Sequence, residues 1–451
     1  MKVAKFGGSS LADAEQIKKV CSIITEDHDR RIIVVSAPGK RHSGDIKVTD
    51  LLIACADSVI RGADKISAAG KVIERFADII RGLGMDMQML DIVKQDILKK
   101  LDMPVYPEGR FMDTIKAAGE DNTARIVAGY LGSLGVDACY VNPGDAGMIL
   151  TEEYGNACIL KSSYKALSSL KYRESIVIFP GFFGYSEKGD VVTFPRGGSD
   201  ITGSILAAAS NADYYENFTD VDNVFAADPK VVDSPVGIKE LTYREMRELS
   251  YAGFSVLHEE TLEPVYKAHI PVWIKNTNNP SAAGTLILPH RDISEGKPVV
   301  GIAADTGFIS VYISKYMMNR EIGFGRKVLQ ILEQMCVPYE HMPSGIDDIS
   351  IIIKEKYFNS KKEAEFISLI KTLDIDEVSV QRDLAIVMIV GEGMLHSIGV
   401  AGRATTALAR AHVNIHMINQ GSSEVSIMFG ILKSEAGSAV RALYKEFFPE
   451  V

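Results

Sequence analysis

The last third of the chain repeats itself. Setting the stretch from Phe308 against the one from Leu384 aligns Met318 with Met394, Gly323 with Gly399, Val337 with Val413, Gly345 with Gly421 and Ser350 with Ser426. Every pair is 76 residues apart (399 minus 323), with no gap. A repeat of this kind demands two copies of one supersecondary unit. In the first copy the pattern predicts a strand at 308–313, a helix at 324–335, strands at 338–342 and 349–353, and a helix at 361–373. A final strand near Val378 completes a β-α-β-β-α-β, ferredoxin-like unit. The second copy reaches Val451 before its last strand, and Val299 to Ala303, left over ahead of the first copy, is expected to fill that place.

The first 290 residues follow another rule. Short β-branched runs at 32–35, 138–141, 176–179, 214–218 and 272–274 alternate with amphipathic stretches at 11–26, 64–83, 121–134, 201–210 and 242–252. That alternation predicts an α/β sandwich with a mostly parallel sheet, whose ligands sit beyond the carboxyl ends of the strands. The polar segment 290–298 is the expected boundary between the two regions.

Composition removes whole classes of function. A chain of 451 residues with formal charge -10 offers no polyanion-binding surface, so nucleic acid is not an expected partner. Its five cysteines form no C-x-x-C pair, which argues against a disulfide framework or a zinc ribbon. The start of the chain lacks a signal pattern, and no apolar run approaches the ~18 residues of a membrane span. A cytoplasmic protein without a membrane partner is the expectation. His258-Glu259-Glu260 lacks the second histidine of a zinc-binding helix and reads as structural.

Three segments carry chemistry. A short apolar strand ends at Lys5 and runs into Gly7, Gly8, Ser9 and Ser10. Glycines let backbone N–H groups approach an anion, serines add donors, and the lysine supplies a point charge where negative charge develops in phosphoryl transfer. A strand end with a polar turn would read the same way, and no Walker A pattern is present. Further on, Arg196-Gly197-Gly198-Ser199-Asp200 precedes a helix expected near Ile201. It suits a carboxylate or phosphate at a helix N-terminus, or is an N-cap with a tight turn. The third segment, Asn217 to Phe225 and on to Lys230, follows a strand and suits a nucleotide base and ribose, or is an acidic surface turn.

Taken together with Val34-Val35-Ser36-Ala37, Gly119-Glu120 and Val256-Leu257-His258, these segments resemble the aspartate kinases in order and context. In the tail, Gly391 to Met394, Gly399-Val400-Ala401 and Met417 to Glu424 resemble the second regulatory ACT domain of that family. The resemblance spans essentially the whole chain. It implies an amino-acid-kinase-like α/β sandwich at 1–290, a first ACT domain at 305–380, and a second at 381–451 completed by the strand 299–304. It also implies a monofunctional kinase that uses ATP and Mg2+ to phosphorylate the β-carboxylate of L-aspartate, the first step towards lysine, threonine and methionine.

Residue roles follow from the resemblance. Lys5 would neutralise phosphate charge and Asp200 orient the reacting groups. Gly7, Gly8, Ser9 and Ser36 would line the phosphates, while Thr219, Asp220, Phe225 and Lys230 fall where the family contacts the nucleotide. Arg196, Gly198 and Ser199 would hold substrate carboxylate, and Thr49 and Glu120 the α-ammonium end. Thr49 equally suits an N-cap for a helix from Asp50, and Glu120 a cap for a helix beginning near Asn122. No metal ligand is assigned. The chain departs from the family at Ser255, where many relatives carry an ATP-contacting lysine, and at Glu259, Pro195 and Phe225. The loop 38–45 is basic and glycine-bearing, and reads as a mobile flap over phosphates or as a solvated loop.

The tandem repeat implies regulation, with Met318, Tyr339, Glu340, Ser344, Asp347 and Asp348 at the positions of a lysine site. Feedback inhibition by L-lysine is expected, with threonine alone or the two together as the competing outcome. A homodimer through the ACT domains, able to pair further, is implied as well. Two alternatives stay open: another amino-acid kinase acting on a different carboxylate, and a catalytically inactive amino-acid sensor.

Overall fold

The computed structural model describes residues 1–254, 257, 259–292 and 297–449. The expectations about Ser255 and His258 lie outside the described residues, as does the middle of the boundary segment. The chain forms two compact units, one of Met1–Val224, Gly237–Arg247 and Ser255–Arg291, the other of Phe225–Val236, Glu248–Phe254 and Asp292–Val451.

The first unit is built on strands β1 (Lys2–Phe6), β2 (Arg30–Val35), β3 (Ala138–Tyr140), β4 (Ile176–Pro180), β5 (Tyr214–Thr219), β6 (Glu240–Thr242), β7 (Val272–Asn276) and β8 (Thr285–Leu288). They form one sheet in the order β6-β8-β7-β5-β1-β2-β4-β3, parallel throughout except between β7 and β8. Val3, Ala4, Phe6, Ile32 to Val35 and Phe218 are fully buried. Continuous apolar runs of this kind are what strands covered on both faces require. Helices α1 (Ala14–Glu26), α2 (Val48–Ile60), α3 (Lys65–Gly82), α4 (Gln88–Leu101), α5 (Glu108–Ser133), α6 (Lys161–Leu167) and α7 (Gly198–Ser210) supply much of the cover.

Three helix starts differ from expectation, and each difference bears on a site residue. Helix α5 begins at Glu108, fourteen positions before Asn122, which puts Glu120 in its interior and rules out the capping role. The early start was hidden because the helix is enclosed on nearly all sides: Asp113, Thr114, Glu120, Asp121, Asn122 and Thr123 are buried with its apolar residues, so no amphipathic stripe exists to read. Helix α2 begins at Val48 with Lys47 at the N-cap position, so Thr49 stands in the first turn and is no cap. Helix α7 begins at Gly198 with Gly197 before it at φ +84°, and Ser199 and Asp200 fall in its first turn.

In the second unit the repeat resolves into a single sheet. Strands β9 (Gly301–Ser314), β10 (Asp348–Lys354), β11 (Glu377–Val390), β12 (Met417–Asn419) and β13 (Ser426–Leu432) lie in the order β10-β9-β11-β13-β12. Helices α8 (Phe324–Gln334), α9 (Ser360–Lys371), α10 (Val400–Arg410) and α11 (Ala436–Phe447) keep the repeat's spacing at both ends. Strands β9 and β11 are antiparallel partners along their length, and each serves both copies. The half of β9 at Gly301 to Ala303 pairs with Met388 to Val390, beside β13, whereas its other half pairs with β10. Gly307 (φ +80°) and its repeat equivalent Asp383 (φ +56°) mark the irregular middle of this pair. The strand expected at 338–342 is reduced to isolated bridges at His341 and Ser344. Pro338 and Pro343 offer no N–H to a ladder there.

Candidate active site

The parallel register carries the ends of β5, β1, β2 and β4 to one level, with Lys5 opposite Asn217 on one side and Val34 on the other. Lys5 is buried, 7% exposed. Its Nζ lies 2.5 Å from Asp200 Oδ1 and donates to Asn217 Oδ1 at 3.5 Å. Asn217 Nδ2 in turn donates to Asp200 Oδ1 at 2.7 Å, and the Tyr215 hydroxyl donates to the Asp200 carbonyl at 3.1 Å. An ammonium has three donors, so with two engaged one remains for an incoming anion. The sequence alone places Asn217 only at the head of the segment that suits a nucleotide, with no link to Lys5 or Asp200. Its partnership with Lys5 and Asp200 comes from strand register and from the docking of α7, which no local sequence pattern announces.

Beyond Lys5 the chain turns through Gly7 and Gly8 into a short 3-10 helix, Gly8–Leu11. A Cβ on Gly7 would stand 3.5 Å from the Lys5 ammonium, and one on Gly8 2.9 Å from the Ala37 carbonyl. Ser9 is exposed and Ser36 half-buried, its N–H bonded to the Phe6 carbonyl at 3.2 Å. This is an open, N–H-rich turn around a buried cation, and it fits phosphate oxygens.

Helix α7 packs against the same strands. A Cβ on Gly181, just after β4, would lie 2.7 Å from Ser199 Oγ, and one on Gly198 would strike the Phe182 ring. Glycine at both places lets the first turn of α7, with Ser199 buried and Asp200 half-buried, rest against the sheet. Arg196 stands exposed ahead of that turn. The helix dipole and the turn's N–H groups favour an anion there.

Glu120 occupies the interior of α5 at 5% exposure, and its Oε2 has no partner among the described residues. Burial pushes its pKa up to about 8, against smaller opposing effects of a backbone hydrogen bond from Ala37 and of Lys116. Gly119 brings α5 close to Ala37 and Leu52. A buried carboxylate with an unused oxygen is a natural receptor for an ammonium group.

Not every expected residue joins this cluster. Thr219 ends β5 and Asp220 follows it, whereas Phe225 (half-buried) and Lys230 (exposed) belong to the second unit. Of the six expected effector residues, Ser344 and Asp348 line a cavity of about 570 Å³ on the five-stranded sheet, together with Ser310, Tyr312, Gln381 and His416. Met318 instead belongs to the apolar core of the first copy. Glu340 accepts a hydrogen bond from the Tyr251 hydroxyl, Tyr339 is exposed, and Asp347 accepts from the Lys315 N–H through its carbonyl.

Comparison with known proteins identifies the family. Residues 1–276 match the amino acid kinase family and residues 387–447 match the ACT domain. Aspartokinase 3 of Bacillus subtilis is 54% identical, over 100% of this chain and 99% of its own. The chain belongs to the aspartate kinases. The solved Clostridium acetobutylicum aspartate kinase is 38% identical with a TM-score of 0.88, over 99% of this chain and all of that one. E. coli aspartokinase III in complex with lysine and aspartate shares the fold at 23% identity and a TM-score of 0.76, over 99% of both chains. Aspartate kinases are feedback-regulated enzymes of amino-acid biosynthesis, and the α/β kinase unit and repeated tail of this chain are their architecture. Among the described residues no helix is long and apolar enough to cross a membrane.

Proposed function

We propose that this aspartate kinase transfers the γ-phosphoryl group of ATP to the β-carboxylate of L-aspartate through the cluster of Lys5, Asp200 and Asn217. The ion pair between Lys5 and Asp200 at the mouth of the Gly7-Gly8 turn carries the reading. The β-carboxylate oxygen attacks the γ-phosphorus, the bond to the β,γ-bridging oxygen breaks, and ADP leaves. The attacking group is ionised at neutral pH, since an aspartate side chain in water titrates at ~3.9, so no general base is needed. Positioning and electrostatics do the remaining work.

Lys5 meets the phosphates with its third donor, while Gly7, Gly8, Ser9 and Ser36 approach them through backbone and hydroxyl groups. Asp200 and Asn217 aim the lysine. Arg196, Ser199 and the Gly198 N–H at the start of α7 hold the substrate's carboxylates, and Glu120 with Thr49 receives its ammonium. Thr219 and Asp220 serve the nucleotide at the end of β5. Among the described residues no three His, Cys, Asp or Glu side chains converge as a metal cage. Asp200 is the carboxylate that would help hold a magnesium ion brought by the nucleotide, which would supply neutralisation of phosphate charge.

In the same reading each repeat copy is an ACT domain, at 305–380 and at 381–451 plus 299–304, and L-lysine is the inhibitor, its ammonium suited to Asp348. Ile322 and its repeat equivalent Ile398 are almost fully exposed, and a homodimer joined through the tails would cover such residues. A hydroxamate assay with ATP and aspartate, against glutamate as the alternative acceptor, tests the activity. Product with aspartate is the expected result, and turnover of glutamate alone would overturn it.

A further inference from the structure

We infer that Arg75, a residue of α3, is a positioning residue for the nucleotide: with Asp45 it clamps the loop 38–45 against the phosphate turn. The inference rests on the reading of Lys5 to Ser10 as that turn.

Arg75 is 4% exposed, so its guanidinium is a buried charge that must be compensated. Three acceptors surround it. Nη1 donates to Asp45 Oδ2 at 2.6 Å, and Nη2 donates to the Gly39 carbonyl at 2.7 Å and to the Ala12 carbonyl at 3.0 Å. The two carbonyls belong to different segments, one just after the phosphate turn and one in the loop following β2. One planar fork therefore binds both segments to α3, which a lysine's point charge would not reproduce.

What the fork holds is in direct contact with the turn. The Gly39 N–H donates to the Gly8 carbonyl at 2.7 Å, and a Cβ on Gly39 would stand 2.6 Å from the Gly8 carbonyl carbon. The backbones of Gly8 and Gly39 thus touch, and the position of one sets that of the other. Asp45 closes the clamp from the far end of the loop. Its carboxylate also accepts from the Arg41 N–H at 3.0 Å and from Arg41 Nε at 2.9 Å. The guanidinium of Arg41, followed by backbone N–H groups and Arg75, holds its pKa well below the usual carboxylate range, against its desolvation.

The loop that reads in sequence as a mobile flap is therefore tied at both ends, with Lys40 to Gly44 exposed between them. Arg75 touches no reacting atom. It acts through Gly39 on Gly8, and its loss should loosen the grip on phosphate while leaving the aspartate end in place.

Steady-state kinetics of Arg75→Gln, Asp45→Asn and Gly39→Ala in the full chain, with direct calorimetric binding of ADP, test this. Arg75→Gln should raise KM for ATP about tenfold and weaken ADP to match, with KM for aspartate within about twofold. Asp45→Asn, which leaves both carbonyl contacts of Arg75, should show a smaller change of the same kind, and Arg75→Lys should rescue only part of the loss. If Arg75→Gln folds with wild-type melting and unchanged KM for ATP while Gly39→Ala raises it, Arg75 does not position the loop. Should Arg75→Gln fail to fold, Asp45→Asn decides: an unchanged KM for ATP overturns the clamp. Near-normal turnover of Lys5→Ala would instead bring down the phosphate reading itself, which separates the two failures.

Discussion

The Lys5 ammonium lies 2.5 Å from the Asp200 carboxylate, across the space between β1 and the first turn of α7. The pair is largely desolvated, the two side chains being 8% and 19% exposed, and Asn217 bonds to both members. A lysine held in this way is aimed before the nucleotide arrives, so little reorganisation remains for the chemical step.

Turnover should depend steeply on that arrangement. Lys5→Ala is expected to lower kcat by about a hundredfold or more, the magnitude typical of a lost electrostatic stabiliser. Asn217→Ala, which keeps both charges and removes their shared support, should cost less, about tenfold. Steady-state rates with saturating ATP and aspartate provide the check, and equal losses in the two variants would contradict the division of roles.

Glu120 should make aspartate binding and stability depend on pH in opposite senses. Its pKa in the folded protein is raised to about 8 from the ordinary glutamate value of 4.5. The folded free protein therefore holds a proton there that the unfolded chain has released, and stability falls as pH rises between those values. Binding an ammonium needs the ionised form, so KM for aspartate should fall as pH rises from about 6 to about 8 and level off above. Glu120→Gln should flatten both profiles. Melting temperatures and kcat/KM measured across that range would expose a dependence of the wrong sign.

Gly181 should resist substitution although it lies outside the cluster. Alanine there would bring its Cβ to 2.7 Å from Ser199 Oγ and force α7 away from β4. A loss of about 1–3 kcal/mol in unfolding free energy is expected, with a raised KM for aspartate. Denaturant melts and kinetics that match the parent would show that the first turn of α7 has room to spare.

Lysine at millimolar concentration should inhibit the enzyme, and Asp348→Asn should raise the half-inhibiting concentration about tenfold, as loss of one charged hydrogen bond would. Titrations with lysine, threonine and methionine, singly and in pairs, distinguish the effectors. Undiminished activity in lysine would end that reading.

Local signals made much of the fold legible. The β-branched runs at 32–35 and 176–179 are β2 and β4 because fully buried strands need little besides apolar residues. Helices α8 and α10 start after Gly323 and Gly399, at φ +82° and +87°, where glycine is the natural residue. Burial hid the rest. Helix α5 lost its stripe because its polar residues are buried along with its apolar ones, and with it went the setting of Glu120. The continuity of β9 and β11 was hidden too, since a strand that pairs with different neighbours along its length reads as two strands with a break between.

By itself the sequence determined the two architectures, the 76-residue repeat and the chemical character of the Lys5 turn and the Arg196 to Asp200 segment. Those are properties of neighbouring residues and of periodicity, which act locally. Only the tertiary structure decided that Lys5 pairs with Asp200 and Asn217, that Glu120 stands buried with an oxygen unused, and that Arg75 ties Ala12 to Gly39. Each of these depends on strand register or on helices docking over strand ends, which bring together groups far apart in the chain and remove the water that would otherwise solvate them.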